Sequence, residues 1–179
     1  YTLERTDLVV RIFSDHTLVQ ARLSLAPNPL AALAGAAAAS PAPLVLQGVD
    51  LELLELRLEG EPVGPEAYSQ GSGTLTLWSP PSAPFVLETV VRIHPDRNTT
   101  LEGLYASGGL LTTQCEAEGF RRITFHPDRP DLLSRFQVRI EADRRTYPVL
   151  LSNGNAIASG DLEGEPGRHY AVWDDPFPK

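Results

Sequence analysis

The chain has 179 residues, 42% of them hydrophobic, and a formal net charge of -8. That is enough apolar mass for one sizeable core, so composition excludes a disordered polymer. The acidic balance argues against a nucleic-acid or anionic-membrane surface, since both need a basic patch, and no apolar run nears the roughly 18 residues that span a bilayer. The lone Cys115 cannot close an internal disulfide, which suits a reducing compartment or indifference to redox state. The charged start, TLERTDLVVRI, is no signal peptide, so a cytoplasmic protein is expected. The sequence holds no methionine and stops at DDPFPK, which reads as a linker cut; a piece of a larger protein is expected.

Period-2 alternation runs through most of the chain. TLERTDLVVRI reads as a charged strand. In TLVQARLSL, Val19, Ala21, Leu23 and Leu25 share one face, with Gln20, Arg22 and Ser24 on the other. Residues 29–40, PLAALAGAAAAS, are Ala-rich and bounded by prolines; they lack charge and an amphipathic stripe, which favours a variable surface insertion. In LELLELRLEG the apolar phase flips between Leu53 and Leu54, the signature of a bulge or bend. FVLETVVRI groups Phe85, Leu87, Val91 and Ile93 and turns Glu88 and Arg92 outward. RPDLLSRF predicts a short helical turn that Asp131 could cap. QVRIEAD and HYAVWDD return to alternation. Turn signals such as EPVGP, QGSG, SPPSAP and SNGN separate the runs. With 16 prolines and 14 glycines, the pattern predicts an all-β, mostly antiparallel sandwich in a single domain, residues 1–179.

Histidines His16, His94, His126 and His169 form no H-E-x-x-H and lie far from one another in sequence, so strand and turn roles are expected and no metal site. His94 and His126 each precede a proline, which favours extended or turn backbone. Asn98-Thr99-Thr100 matches a glycosylation acceptor, but the pattern is frequent by chance and a turn is the better reading. Cys115 has no nearby histidine to activate it, and no serine elbow or phosphate-cradling loop is seen. Glu116 and Glu118 leave two readings open. They are solvated loop carboxylates, or, if the segment is extended and mostly buried, they converge with Gln114 into a recognition surface for a cation or an amide.

NTTLEGLYASGGLLTTQCEAEGFRRITFHPDRPDLLSRFQVRIEADRRTYPVLLSNGN resembles the N-terminal domain of bacterial aminopeptidase N, a zinc metallopeptidase of the gluzincin type. The resemblance continues through GRHYAVWDDPFPK and is specific over residues 98–179. It is looser but collinear from YTLERTDLVVRIF through DLELLELRLEGEP, and residues 29–43 stand out as an Ala/Pro-rich insertion loop. It implies a saddle-shaped all-β domain packed on a catalytic domain that carries H-E-x-x-H, a further Glu ligand and a Gly-Ala-Met-Glu-Asn segment. None of these occurs here, so this piece should hold no zinc and cleave nothing by itself. The resemblance makes Gln114 and Glu116 the substrate-binding residues, reaching into the active site from the first domain, with Glu116 taking the substrate's α-ammonium group. Glu118 is expected to be structural. The implied partners are peptides with a free N-terminus and the chain's own catalytic domain, with zinc as the cofactor of the whole enzyme. A stand-alone β-sandwich interaction module, or a relative that has lost catalysis, are the alternatives.

Overall fold

The computed structural model describes residues 1–29 and 42–179. Among them, strands run in chain order as β1 (Thr2–Ile12), β2 (Thr17–Ala26), β3 (Leu44–Gln47), β4 (Glu52–Leu58), β5 (Glu61–Pro62), β6 (Tyr68–Gln70) and β7 (Thr74–Leu77). They continue as β8 (Phe85–Ile93), β9 (Gly103–Ser107), β10 (Leu110–Gln114), β11 (Arg135–Asp143), β12 (Asn155–Asp161) and β13 (Arg168–Asp175). Eight build one sheet in the order β12-β13-β11-β1-β2-β8-β4-β5; β3, β7 and β6 form a second, and β9 with β10 a separate two-stranded hairpin. Pairing is antiparallel except between β1 and β11, where Arg5 to Arg11 run parallel to Arg135 to Glu141. The all-β sandwich expected from alternation is what forms.

The alternating residues bury as their phase requires. Val19, Ala21, Leu23 and Leu25 of β2 and Phe85, Leu87, Val91 and Ile93 of β8 lie in one core with Leu46 of β3, Leu75 and Leu77 of β7, and Phe125. That continuous cluster joins the large sheet to the small one, since each apolar face is stable only when another covers it. The phase flip in LELLELRLEG is a register shift between Leu53 and Glu55 against β8. A smaller cluster, Ile12, Ala142 and Leu150, closes the far end.

The opposite face of the large sheet is an ion-pair ladder. Arg22 stands across from Asp7 on β1 and from Glu88 on β8, with N–O separations of 3.7 and 3.8 Å. Arg92 pairs with Glu52 at 2.9 Å, and Arg11 with Glu141 at 3.2 Å. Opposite charges on neighbouring strands are the sheet's counterpart of helix side-chain pairs.

Two expectations fail. RPDLLSRF forms no helical turn: it is turn and coil until β11 begins at Arg135, and Asp131 accepts from Arg129 Nε at 2.9 Å instead of capping anything. Both Asp131 carboxylate oxygens are taken by the Arg129 guanidinium, so the side chain is not available as a cap. The 3-10 turn that does form is Phe120–Arg122. The chain end is also docked, not loose: Ser134 and Lys179 exchange backbone hydrogen bonds of 3.1 and 3.0 Å, and the Lys179 ammonium pairs with Asp175. The insertion assigned to residues 29–43 falls for the most part outside the described residues.

Candidate functional site

TQCEAEG begins at the foot of the β9–β10 hairpin. Leu110 pairs with Ser107, so two residues make the reversal: Gly108 and Gly109, at φ +58° and +82°. A two-residue turn with both φ values positive matches the twist of its strands and favours glycine at each position. The hairpin ends with Gln114 opposite Gly103. The chain then leaves the strand direction at once. Gly119 N donates to Cys115 O at 2.8 Å, closing residues 115–119 into a turn. Gly119 is required there, because a Cβ would lie 2.4 Å from the Gln114 carbonyl oxygen.

The extended, mostly buried segment considered from sequence is therefore not what forms. Gln114, Glu116 and Glu118 are all exposed, and the turn breaks the alternation that would have aligned them. Gln114 and Glu116 are nevertheless brought together: Gln114 Nε2 donates to the Glu116 carbonyl oxygen at 3.0 Å. The Glu116–Ala117 peptide is cis. The Glu116 carboxylate takes no partner among the described residues, while Glu118 is drawn to Arg121, 3.3 Å away. The two acids are thus distinguished by their surroundings, one free and one paired.

Beneath the turn lies a polar frame that sequence reading missed. Arg121 donates to Asp128 from its backbone N (3.2 Å) and from Nε (2.9 Å) to one carboxylate oxygen, and from Nη2 to the Asp128 carbonyl (3.1 Å). Asp128 N in turn donates to Gln47 Oε1 at 3.0 Å. Cys115 is half-buried here; burial, then the charges of Asp128 and Glu116, push its thiol up to about 11. A thiol so poised is no nucleophile at neutral pH. His126 is buried, with Nε2 3.2 Å from Thr6 Oγ1 and its ring edge-on to Phe120 at 4.6 Å. Desolvation holds it down at about 4, against a smaller opposing pull from Asp128, so it is neutral at pH 7. The two aspartates and the arginine of HPDRPD, following the Arg pair, were the available signal for this frame.

The other histidines are also turned to protein. His16 Nδ1 lies 2.8 Å from Asp15, His94 Nδ1 2.9 Å from the Asp15 carbonyl, and His169 Nε2 2.8 Å from the Tyr147 carbonyl. Among the described residues, no three His, Cys, Asp or Glu side chains are grouped to hold a metal ion. Asn98 sits in the expected turn: its Oδ1 accepts from Thr100 N at 3.1 Å, and its Nδ2 donates to the Glu102 and Leu104 carbonyls.

The fold defines an all-β sandwich domain. By sequence the chain belongs to the peptidase M1 N-terminal domain family, which it matches over residues 79–179. It is 48% identical to the aminopeptidase N of Caulobacter vibrioides over 179 residues, all of this chain and 19% of that protein. It is 51% identical to the aminopeptidase N of Escherichia coli over 141 residues, 79% of this chain and 16% of that protein. The chain thus spans about a fifth of the curated relatives it matches, and it corresponds to their N-terminal domain. Among solved structures, Legionella pneumophila aminopeptidase A in complex with aspartic acid superimposes with a TM-score of 0.88 at 31% identity, covering 99% of this chain and 20% of that one. An M1 zinc metallopeptidase from Deinococcus radiodurans bound to a Tyr-Ser-Ala substrate shares the fold, with a TM-score of 0.73 at 15% identity over 99% of this chain and 39% of that one.

Proposed function

We propose that this chain is the substrate-anchoring N-terminal domain of a cytoplasmic, zinc-dependent aminopeptidase that removes N-terminal amino acids from peptides. The observation that carries the proposal is the Glu116 carboxylate, exposed and unpaired, with the Gln114 amide tied to the same residue's backbone. A free carboxylate beside an amide group suits a primary ammonium and the polar atoms next to it. Relatives named aminopeptidases, and a neighbour holding a free amino acid, agree with that ligand class.

Glu116 would accept charge-assisted hydrogen bonds from the substrate's α-ammonium. An amine terminus is told from an internal amide by its charge, and a carboxylate left unpaired in a closed site is costly, so blocked and internal peptides are rejected. Gln114 would shape the space for the first side chain. The zinc, held by the catalytic part, would polarise the scissile carbonyl and activate water. Exposed Leu101 and Leu110, beside and on the hairpin, and Leu133 and Phe177, near the chain end, offer apolar area for docking onto that part.

The test is Glu116→Gln in the full-length enzyme, read on an aminoacyl arylamide. Losing a charged hydrogen bond costs about 1.5–3 kcal/mol, one to two decades in kcat/KM. Glu118→Gln should do far less, its carboxylate being spent on Arg121. Equal, small effects would return both acids to solvated-loop status. The isolated chain with zinc added should hydrolyse nothing, and turnover by it would refute the division of labour.

A further inference from the structure

The turn that bears Glu116 has an uneven suspension. Its leading foot is β10, in a hairpin that pairs with no other strand of the described residues. The hairpin is held to the body by Leu104 in the main core and by Ala106 N, which donates to the Pro95 carbonyl at 3.1 Å. The trailing foot, Phe120–Arg122, is the turn's second hold on the body. Two arginines anchor that foot. Arg122 reaches Asp50 and Glu102, whose side chains are 80% and 54% exposed, and exposed pairs hold geometry weakly. Arg121 reaches Asp128, whose side chain is 11% exposed.

The second anchor is also continuous with the core. Asp128 takes both the backbone N–H and the Nε–H of Arg121 on a single oxygen, and its own N–H is held by Gln47. Gln47 and His126 exchange backbone bonds of 2.9 and 3.0 Å, while the Arg121 carbonyl accepts from Val49 N at 2.9 Å. This path ties the foot of the turn to β3. Arg121 also holds Glu118, so the guanidinium touches the turn on one side and the frame on the other.

We infer that Asp128, acting through Arg121, is a positioning residue for Glu116. The pair sets the placement at which the turn presents the Glu116 carboxylate, and hence how tightly an α-ammonium is held. The inference rests on the anchoring role proposed for Glu116. A planar, forked guanidinium gripped at several atoms fixes orientation as well as distance, which a lysine at the same place would not.

The experiment is a double-mutant cycle in the full-length enzyme on one aminoacyl arylamide, with melting temperature and zinc content measured for every variant. Asp128→Asn should cut kcat/KM by about tenfold, mostly through KM, as expected of a binding group displaced by a fraction of an ångström. In the Glu116→Gln background the same change should cost less than about twofold, because there is no carboxylate left to place. Asp128→Glu, which restores the charge, should recover part of the loss; Arg121→Lys should reproduce it and serves if Asp128→Asn does not fold. Asp50→Asn, at the exposed anchor, should stay within about twofold of wild type. An Asp128→Asn loss that is equal in both backgrounds, or absent while Glu116→Gln is impaired, overturns the positioning role. No effect of Glu116→Gln itself overturns the anchoring reading, and the positioning role with it.

Discussion

The eight-stranded sheet and the β9–β10 hairpin are built from the same element and held in opposite ways. The sheet is fixed by apolar side chains: Val19, Leu23, Leu87 and Val91 are buried on its inner face against Leu46, Leu75 and Phe125. The hairpin buries little beyond Leu104, part of Leu111 and half of Cys115, and the turn at its foot is placed by directed polar bonds to Arg121, Asp128 and Gln47. Area burial tolerates changes of shape and gives stability; directed bonds give little stability and one geometry. The part of the chain that carries the free carboxylate is the part built for geometry.

That contrast can be broken first where it is strongest. Leu23→Ala, at a position 1% exposed, leaves a cavity in the main core and should cost about 2–5 kcal/mol in urea denaturation of the isolated domain. A cost below about 1 kcal/mol would show that the sheet is not held by burial.

The polar frame has its own signature in pH. His126 titrates at about 4 in the folded chain and near the ordinary 6.5 when unfolded. Between those values the unfolded state binds the extra proton, so stability is intact above about 6.5 and falls as pH drops towards 4, by up to roughly 3 kcal/mol. Thermal melts between pH 4 and 7 should show this, and His126→Gln should flatten the slope. An unchanged slope in that variant would remove His126 as the source.

Gly119→Ala separates the regions more finely. The added methyl meets the Gln114 carbonyl, so the turn must open. A stability cost of about 1–3 kcal/mol is expected, with the larger damage in KM of the full-length enzyme. The smallest effect belongs to the outer face: Arg92→Gln should change stability by less than about 1 kcal/mol, because its pair with Glu52 is exposed.

The same contrast explains what was legible in the sequence. Alternation placed Val19 to Leu25 and Phe85 to Ile93 on the right face because a strand's period leaves no choice once one side is apolar. The phase flip at Leu53 and Leu54 located the register shift for the same reason. The resemblance singled out Gln114 and Glu116, which the structure ties together, while periodicity left their setting open between a solvated loop and a buried strand, since a five-residue turn carries no period to detect. Arg121 and Asp128 were overlooked because a polar pair seven residues apart leaves no trace in hydropathy. The helical turn expected at RPDLLSRF rested on Asp131 as a cap, and its carboxylate is bonded to Arg129 instead.

The ladder on the outer face of the large sheet has an electrostatic consequence. Its arginines and carboxylates pair across β1, β2, β4, β8 and β11 and nearly cancel, so this broad surface projects little field into solvent. The chain's net charge of -8 therefore resides on the remaining surface, where the turn with Glu116 lies. A cation approaching the domain therefore meets a weaker field over the sheet than over the remaining surface, a difference that fades as salt shortens its reach to about 10 Å at 0.1 M ionic strength.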